Sequence, residues 1–275
     1  MATARAADGT EISYRVFGAA DGEPLVLIMG LGADRWGWVR QWPALRRRFR
    51  LVALDNRGSG ASGVPAGPYD LEVMAADVIA VMDAEGIGSA HVMGASLGGV
   101  LAQIVAIRHP ARVRSLVLAC TASRMKSWRR ALFTEWIEIA LTEGSRALAQ
   151  ENIRWVVAAR HLRRLWPISP VVAPLIIRAP VPGVVAQLQA LVDAPEAVGG
   201  YLGEIAVPTF VIVGSQDILT PVADSEELAE AIPDARLEVI SSAAHGFMVM
   251  RAGRYNDAVG GFYDEILGSA AAAKP

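Results

Sequence analysis

The chain has 275 residues, of which 53% are apolar and 20% are charged, so it is long enough to bury the core of one large α/β domain. Its formal net charge of −2 provides no positive field, which argues against nucleic acid and an anionic membrane as partners. Cys120 is the only cysteine, which excludes an intramolecular disulfide and a cysteine-based zinc site. The sequence has neither a signal-like start nor a run of about 18 apolar residues, and we expect a cytoplasmic protein.

The predicted elements alternate along the chain between short apolar runs and longer segments with helical periodicity. The apolar runs predict strands at 11–17, 24–29, 49–55, 90–95, 113–119, 208–214 and 236–240. Apolar residues spaced three and four apart predict helices at 71–85, 97–109, 221–232 and 254–267. Continuous apolar strands joined by crossover helices are typical of a parallel sheet covered on both faces. The expected fold class is therefore α/β, with a mainly parallel, doubly wound sheet.

The regular alternation stops between about 121 and 205. This stretch contains Trp128, Trp136, Trp155 and Trp166, and prolines are frequent from 167 to 182, where they disfavour a strand or a long helix. We interpret 121–205 as an inserted cap, helical in its first half, that covers the carboxyl edge of the sheet. Residues 1–120 and 206–268 then form the core, and the small residues of 269–275 predict a disordered tail.

The strongest functional signal is a glycine-rich turn at 94–99, with the sequence Gly-Ala-Ser-Leu-Gly-Gly. It directly follows a predicted strand and precedes a predicted helix, which is the context in which G-x-S-x-G places a nucleophilic serine. Glycines are needed beside the serine because backbone segments approach closely there and a Cβ atom would clash. We therefore predict Ser96 as the nucleophile, and the Leu97 amide at the helix start as a donor to an oxyanion.

Two further residues complete the predicted catalytic set, because a serine nucleophile requires a histidine base and a carboxylate that orients it. Asp217 lies in the loop after the strand at 208–214, and His245 lies in the loop after the strand at 236–240. Both follow the carboxyl ends of parallel strands, where α/β sheets place their sites. Asp224 and Asp234 compete with Asp217 but lie further from the strand end. We predict structural or surface roles for the other histidines, His91, His109 and His161.

Two glycine-rich loops follow the strands predicted at 24–29 and 49–55. In the first loop, Gly30 and Gly32 flank Leu31 and allow its backbone N–H to turn towards an oxyanion, so Leu31 is the second predicted donor. The second loop lacks the G-x-G-x-x-G spacing of a dinucleotide site. We predict that its Asp55 and Arg57 fix the loop by hydrogen bonds.

Large apolar side chains predict the walls of a substrate pocket. We expect Trp128, Trp136 and Trp155 of the cap, together with Phe247, to cover the nucleophile, because the cap offers few other large side chains. Packing inside the cap is the competing role for these tryptophans. Further predicted substrate contacts are Gly30, Gly32, Trp36 and Leu219.

Taken together, these motifs resemble the α/β-hydrolase superfamily. The resemblance covers nearly the whole chain except the cap, and it rests on segments 8–10, 29–30, 55–62 and 94–99 with Asp217 and His245-Gly246. Segments 64–69 and 90–92 are most similar to bacterial 3-oxoadipate enol-lactonases and related esterases. Met29 departs from the pattern, since many members carry histidine before the glycine at this position.

The resemblance implies acyl transfer without a metal or an organic cofactor. Ser96 attacks the carbonyl of a small, largely hydrophobic ester or lactone, His245 moves the proton, Asp217 orients the imidazole, and water releases the acyl group. Three alternatives stay open: carbon–carbon bond hydrolysis of a vinylogous diketone, cofactor-free perhydrolysis of the haloperoxidase type, and a ligand receptor of the same fold. A homodimer also remains open.

Overall fold

An eight-stranded, mainly parallel sheet lies at the centre of the protein. The structure is a computed structural model that describes residues 1–168, 171, 177–194 and 199–272. Among these residues the strands are β1 (Ala2–Arg5), β2 (Glu11–Gly18), β3 (Glu23–Ile28), β4 (Phe49–Leu54), β5 (Ala90–Ala95), β6 (Val113–Ala119), β7 (Thr209–Gly214) and β8 (Ala235–Ile240). Their order in the sheet is β1-β2-β4-β3-β5-β6-β7-β8. β1, β2 and β4 pair antiparallel in succession, and every other pair is parallel.

The predicted fold class is confirmed, and each predicted strand is present. The sequence analysis missed β1, which pairs Ala2 with Tyr14 and Arg5 with Glu11 at the edge of the sheet. A strand of four residues, Ala-Thr-Ala-Arg, is too short for a clear period-2 signal, and its formation depends on the pairing with β2.

The central strands carry continuous apolar runs because both faces of the sheet are covered. In β3, Val26 and Ile28 pack into the core on one face, whereas Leu25 and Leu27 pack into the core on the other. All four side chains are fully buried. Each such burial stabilises the fold by about 1.5–3 kcal/mol relative to exposure, so neither face tolerates a polar side chain here.

Helices cover the two faces and fill the segment between β6 and β7. The core on the face of Val26 and Ile28 contains residues of the two helices that precede and follow β5 in the chain. The core on the face of Leu25 and Leu27 contains residues of the C-terminal helix. The α-helices bounded within the described residues include α1 (Trp42–Leu45), α2 (Leu71–Ala84), α3 (Leu97–Arg108), α4 (Ser127–Thr142), α5 (Ser145–Val156), α6 (Ala159–Leu165), α7 (Val181–Asp193), α8 (Val222–Ala231), α9 (Phe247–Met250) and α10 (Ala252–Ala272). In the described part of the chain, no helix has the length and apolar composition needed to cross a membrane.

The segment predicted as a cap contains α4 to α7, and α4 packs against both α5 and α7. The helical first half agrees with the sequence, but α7 shows that the second half also contains a helix of 13 residues. Pro182 stands in the first turn of α7, where proline costs no hydrogen bond, so it marks the start of a helix and does not prevent one. Residues 169–170 and 172–176 of the proline-rich run lie outside the described residues.

The C-terminal helix is longer than the sequence analysis predicts. α10 continues to Ala272, through residues that we expected to belong to a disordered tail. This extension consists of Ser269 and three alanines, and alanine has the highest intrinsic helix propensity, so a helix already held by its packing can continue through them. Residues 273–275 lie outside the described residues.

Candidate active site

The turn around Ser96 has a strained backbone. Ser96 has φ 53° and ψ −120°, a conformation rarely adopted by residues other than glycine, between the end of β5 and the start of α3. A Cβ atom on Gly94 would lie 2.2 Å from the carbonyl oxygen of Gly98, and one on Gly98 would lie 2.1 Å from that of Ile28. Both positions therefore require glycine, as the G-x-S-x-G motif predicts, because a Cβ atom would clash with the neighbouring backbone.

A buried histidine–carboxylate pair lies in the loops after β7 and β8. His245 Nδ1 is 2.8 Å from Asp217 Oδ2, and both residues are buried. The other carboxylate oxygen, Asp217 Oδ1, accepts the backbone N–H groups of Leu219 and Thr220 at 2.9 Å each. The competing acid Asp224 has different partners, because it binds Arg129 and Lys126 on the α4 side. The structure thus brings together His245 and Asp217, the acid that the sequence analysis favoured.

Thr220 is a polar neighbour of this pair that the sequence analysis missed. Its hydroxyl donates to Asp217 Oδ2 at 2.9 Å and lies 3.2 Å from His245 Nδ1. The residue also lines the cleft that opens on Ser96. The sequence did contain a signal, because aspartate at 217 with threonine and proline at 220 and 221 is typical of a turn in which the aspartate side chain accepts backbone N–H groups two and three residues later.

Arg129 links the same turn to the predicted cap and was also missed. From α4, its Nε donates to the carbonyl of Leu219 at 2.9 Å, and its Nη2 binds the buried carboxylate of Asp224. Only 3% of the Arg129 surface is exposed. Nothing in the local sequence distinguishes Arg129 from the many other arginines of this segment, because Leu219 and Asp224 lie 90 and 95 residues away.

Cys120 directly follows β6 and is buried near the Asp217 carboxylate. Burial raises the pKa of the Cys120 thiol well above its ordinary value, and the negative charge of Asp217 raises it further. Only the thiolate form reacts readily, so the raised pKa argues against a nucleophilic role for Cys120.

The first glycine-rich loop lies against the turn around Ser96. A Cβ atom on Gly30 would be 3.1 Å from the Cβ of Ser96, so this loop and the nucleophile turn are in contact. Leu31 follows, half-buried, and the N–H of Gly32 donates to the side chain of Gln187 on α7 at 2.9 Å. Leu97 begins α3, and the first amides of a helix have no partner within it. The two predicted donor residues, Leu31 and Leu97, therefore each adjoin a residue of this contact.

The second glycine-rich loop is held by charged side chains, as predicted. Asp55 accepts the backbone N–H groups of Arg35 at 2.7 Å and Ala61 at 2.9 Å, and it forms a buried ion pair with the Arg35 guanidinium. Burial raises the pKa of Asp55, and the hydrogen bonds to its carboxylate oppose this. Arg57 binds both carboxylate oxygens of Asp77, at 2.6 and 2.7 Å. The predicted structural roles of Asp55 and Arg57 are confirmed.

A narrow cleft opens on Ser96, and its lining differs from the predicted one. Its empty space, including the mouth that is open to solvent, is about 460 Å³. The lining is mainly apolar, with Thr220 beside the histidine–carboxylate pair and two arginines of the cap segment. The described lining residues are Leu71, Ser96, Leu97, Val100, Ala122, Ser123, Arg124, Met125, Arg129, Phe133, Leu191, Ala194 and Thr220.

The predicted tryptophan walls are not among these lining residues. Trp136 is fully buried and packs on Phe133 at a ring distance of 5.2 Å and on Trp155 at 6.3 Å. Trp128 is 40% exposed and stacks on Trp155. The structure therefore favours the competing role, in which these indoles pack the cap helices together, and it gives the cleft a wall formed by Phe133.

Three further side chains predicted to contact substrate, Phe247, Trp36 and Leu219, are also not among the described lining residues. Phe247 is fully buried at the start of α9, where it packs on Tyr255 in the core on the opposite face of the sheet. Trp36 is 46% exposed and contacts Trp42. Leu219 is buried within the turn that holds Asp217.

Comparisons with known proteins identify the family. A sequence profile of the alpha/beta hydrolase fold matches residues 23–146. The chain is 31% identical to RutD of Azorhizobium caulinodans, whose name describes a carbamate hydrolase, over 93% of this chain and 96% of that protein. It is 30% identical to 3-oxoadipate enol-lactonase 2 of Acinetobacter baylyi, over 92% of this chain and 93% of that protein.

Solved structures extend this similarity to the three-dimensional fold. The crystal structure of the enol-lactonase from Burkholderia xenovorans LB400 matches with a TM-score of 0.87 and 31% identity, covering 95% of this chain and 99% of that one. These relatives confirm the predicted resemblance to enol-lactonases and the prediction that the chain is an enzyme of the hydrolase class. Because the similarity in sequence and fold extends over nearly the whole length, the protein belongs to the alpha/beta hydrolase family.

Proposed function

We propose that this hydrolase cleaves a carboxylic ester or lactone through a Ser96–His245–Asp217 triad and an acyl-enzyme intermediate. The observation that carries the proposal is the buried His245–Asp217 pair, with Nδ1 and Oδ2 2.8 Å apart, at the sheet edge that also presents the strained Ser96. Among the described residues, the hydrogen bonds of the His245 ring all involve Nδ1, which leaves Nε2 available to accept the Ser96 proton.

The proposed reaction proceeds in two acyl-transfer steps. His245 Nε2 takes the hydroxyl proton as Ser96 Oγ attacks the carbonyl carbon, and Asp217 stabilises the imidazolium without taking the proton. The backbone N–H groups of Leu31 and Leu97 donate to the oxyanion of the tetrahedral intermediate. The imidazolium then protonates the departing alcohol oxygen, and a water molecule, deprotonated by His245, hydrolyses the acyl-enzyme and regenerates Ser96.

The cleft supports a small and largely hydrophobic substrate. Its walls include Leu71, Val100, Met125, Phe133 and Leu191, whereas Thr220 and two arginines provide the polar positions. The enol-lactonase relatives favour a lactone within this class. Carbamate hydrolysis is the second candidate, favoured by the similarity to RutD, because the same serine can attack a carbamate carbonyl.

The experiment combines active-site labelling with a substrate panel. The purified protein is treated with a fluorophosphonate probe and is assayed on p-nitrophenyl esters of increasing acyl length, on lactones and on carbamates. We expect labelling at Ser96, turnover of esters or lactones, and a loss on the order of 10⁶ in kcat in the Ser96→Ala variant. Ser123→Ala is the matched control, since Ser123 is a buried serine that lines the same cleft, and it should retain labelling.

Each contrary outcome identifies a different function. Wild-type rates in a folded Ser96→Ala protein would contradict the serine mechanism itself. Labelling followed by single turnover on every substrate would indicate a ligand receptor. Cleavage of vinylogous diketones or peroxide-dependent chemistry without ester turnover would indicate the carbon–carbon hydrolase or the perhydrolase alternative.

A further inference from the structure

A buried glutamine of the cap segment reaches both glycine-rich loops of the core. Gln187 lies on α7 and is fully buried. Its Oε1 accepts the backbone N–H of Gly32 at 2.9 Å. Its Nε2 donates to the carbonyl of Arg57 at 2.7 Å and to Ser59 Oγ at 2.9 Å. Both the oxygen and the nitrogen of the Gln187 amide are therefore hydrogen-bonded. Its partners lie 128 to 155 residues away in the sequence.

The helix can approach the loops this closely because α7 carries a glycine at the contact. A Cβ atom on Gly183 would lie 2.1 Å from the carbonyl oxygen of Gly58 in the second loop. No residue with a Cβ atom fits at this separation, so the backbone of α7 packs directly on the backbone of that loop. Gln187 follows one helical turn later, which places its side chain on the same face of the helix as Gly183.

The cap segment also holds the other polar group of Gly32. The carbonyl oxygen of Gly32 accepts the backbone N–H groups of Arg178 at 2.8 Å and Ala179 at 3.0 Å. Gly32 has φ +63°, and a Cβ atom there would lie 3.0 Å from Ile177 Cγ2. Both the donor and the acceptor of Gly32 are therefore bonded to residues between 177 and 187, which fixes the orientation of the two peptide groups around it.

We propose that Gln187 is a positioning residue that holds the loop of Gly30, Leu31 and Gly32 in the orientation needed to stabilise the oxyanion. The peptide group that Gln187 holds links Leu31 to Gly32, and it directly follows the peptide group that carries the Leu31 N–H. Gly30 lies against Ser96, with 3.1 Å between the position of a Gly30 Cβ and the Ser96 Cβ. This inference rests on the proposed function, because the Leu31 amide is an oxyanion donor only if Ser96 is the nucleophile.

Preorganised donors are effective because they need no reorientation when the charge forms. Without the Gln187 bond, the Gly32 N–H must find another partner, and the loop gains alternative orientations that point the Leu31 N–H away from the oxyanion. The substrate carbonyl in the ground state carries little charge, so substrate binding depends less on this donor than the transition state does. Loss of Gln187 should therefore lower kcat and leave KM nearly unchanged.

The test replaces Gln187 by methionine, which has a similar length and no hydrogen-bonding amide. Gln189→Met is the matched control, because Gln189 lies on the same helix and its amide donates to Asp193, four residues further along, and not to either glycine-rich loop. We expect kcat of Gln187→Met to fall about 10- to 100-fold, which is less than the 10²–10³ lost on removal of an entire oxyanion donor. KM should stay within about twofold of the wild type, and the control should match the wild type.

A second measurement distinguishes positioning from general packing. A trifluoromethyl ketone forms a tetrahedral adduct with an active-site serine and thus reports on oxyanion stabilisation without turnover. Its inhibition constant should rise by the same factor as kcat falls, and the pH dependence of kcat/KM should keep its wild-type shape because the histidine–carboxylate pair is untouched. Unchanged kcat and unchanged inhibitor affinity in folded Gln187→Met would overturn the proposal, as would an increase in KM alone.

A folding defect and a failed proposed function give different results. If Gln187→Met does not fold, Gln187→Glu is measured, since it keeps an oxygen that can accept the Gly32 N–H, and a smaller loss of inhibitor affinity is expected. Failure of both variants to fold would assign Gln187 to cap folding and overturn the positioning role. Wild-type protein that neither binds the fluorophosphonate probe nor turns over any substrate would instead overturn the proposed function.

Discussion

Two histidine–carboxylate pairs in the described part of the protein have the same short separation and different surroundings. His245 Nδ1 lies 2.8 Å from Asp217 Oδ2 in the loops after β7 and β8, and His91 Nε2 lies 2.8 Å from Glu23 Oε2 within the sheet. Each histidine also has a hydroxyl neighbour, Thr220 for His245 and Ser115 for His91. The partner set alone therefore does not distinguish a catalytic histidine from a structural one.

The two pairs differ in how many ring nitrogens of the histidine are hydrogen-bonded and in whether the histidine lies within a strand or after its end. His91 is the second residue of β5, within the paired part of the sheet, and both of its nitrogens are bonded, Nδ1 to Ser115 Oγ at 2.8 Å and Nε2 to Glu23. Burial lowers the pKa of His91, and Glu23 opposes this only in part. In the proposed mechanism His245, which follows its strand, keeps Nε2 for proton transfer, whereas His91, which lies within the sheet, has both ring nitrogens hydrogen-bonded to neighbouring side chains.

The largest expected effect comes from replacing the carboxylate of each pair by an amide and comparing the two variants. Asp217→Asn should lower kcat by about 10⁴, because the amide no longer holds the imidazole in the required tautomer or stabilises its cation. Glu23→Gln removes the corresponding charge from the other pair and should leave kcat within about twofold of the wild type, because Glu23 does not contact the proposed catalytic residues. Steady-state kinetics of both variants on one ester measure the contrast. Equal losses in the two variants would show that the pairs do not differ in function.

The hydroxyl neighbours provide a finer comparison. Thr220→Val removes a donor to Asp217 Oδ2 at constant shape, and we expect kcat to fall about tenfold, the equivalent of about 1.4 kcal/mol. Thr220→Ser should restore most of this loss because the donor returns. Ser115→Ala leaves His91 Nδ1 without its partner and should lower the free energy of unfolding by about 1–3 kcal/mol with kcat unchanged. An unchanged kcat in Thr220→Val would remove Thr220 from the catalytic arrangement.

The smallest effect concerns pH and stability. Burial lowers the pKa of His91 in the folded protein, so below pH 6.5 the unfolded chain binds the proton first and folding loses stability as the pH falls. Glu23 contributes only at lower pH: burial raises its pKa, but the hydrogen bonds from His91 and Arg114 outweigh burial and lower it below 4.5. We therefore expect Tm to fall more between pH 7.5 and 5.5 in the wild type than in His91→Gln.

The variant comparison isolates this one group. The remaining titratable residues are common to both proteins, and their contributions cancel in the difference between the two Tm changes. Parallel Tm curves for wild type and His91→Gln would contradict the lowered pKa. A larger fall in Tm for the variant than for the wild type would indicate that folding raises the pKa of His91.

The sequence by itself determined the features that depend on local backbone chemistry. Apolar runs predicted the strands, and the glycines around Ser96 predicted a turn that no side chain at Gly94 or Gly98 could occupy. The order of loops predicted that Asp217 and His245 meet, because the carboxyl ends of parallel strands share one edge of the sheet. These inferences need only spacing and periodicity, and both can be read along the chain.

Only the tertiary structure decided which cap residues contact the core. Gln187, Arg129 and Phe133 carry no local signal, since each acquires its role from the way the cap helices pack on loops that are distant in sequence. The same packing buries Trp136 among aromatic neighbours and away from the described lining of the cleft, which composition could not reveal. Long-range contacts depend on how helices dock, and many sequences share one helical pattern, so the pattern fixes the helix and leaves its partners open.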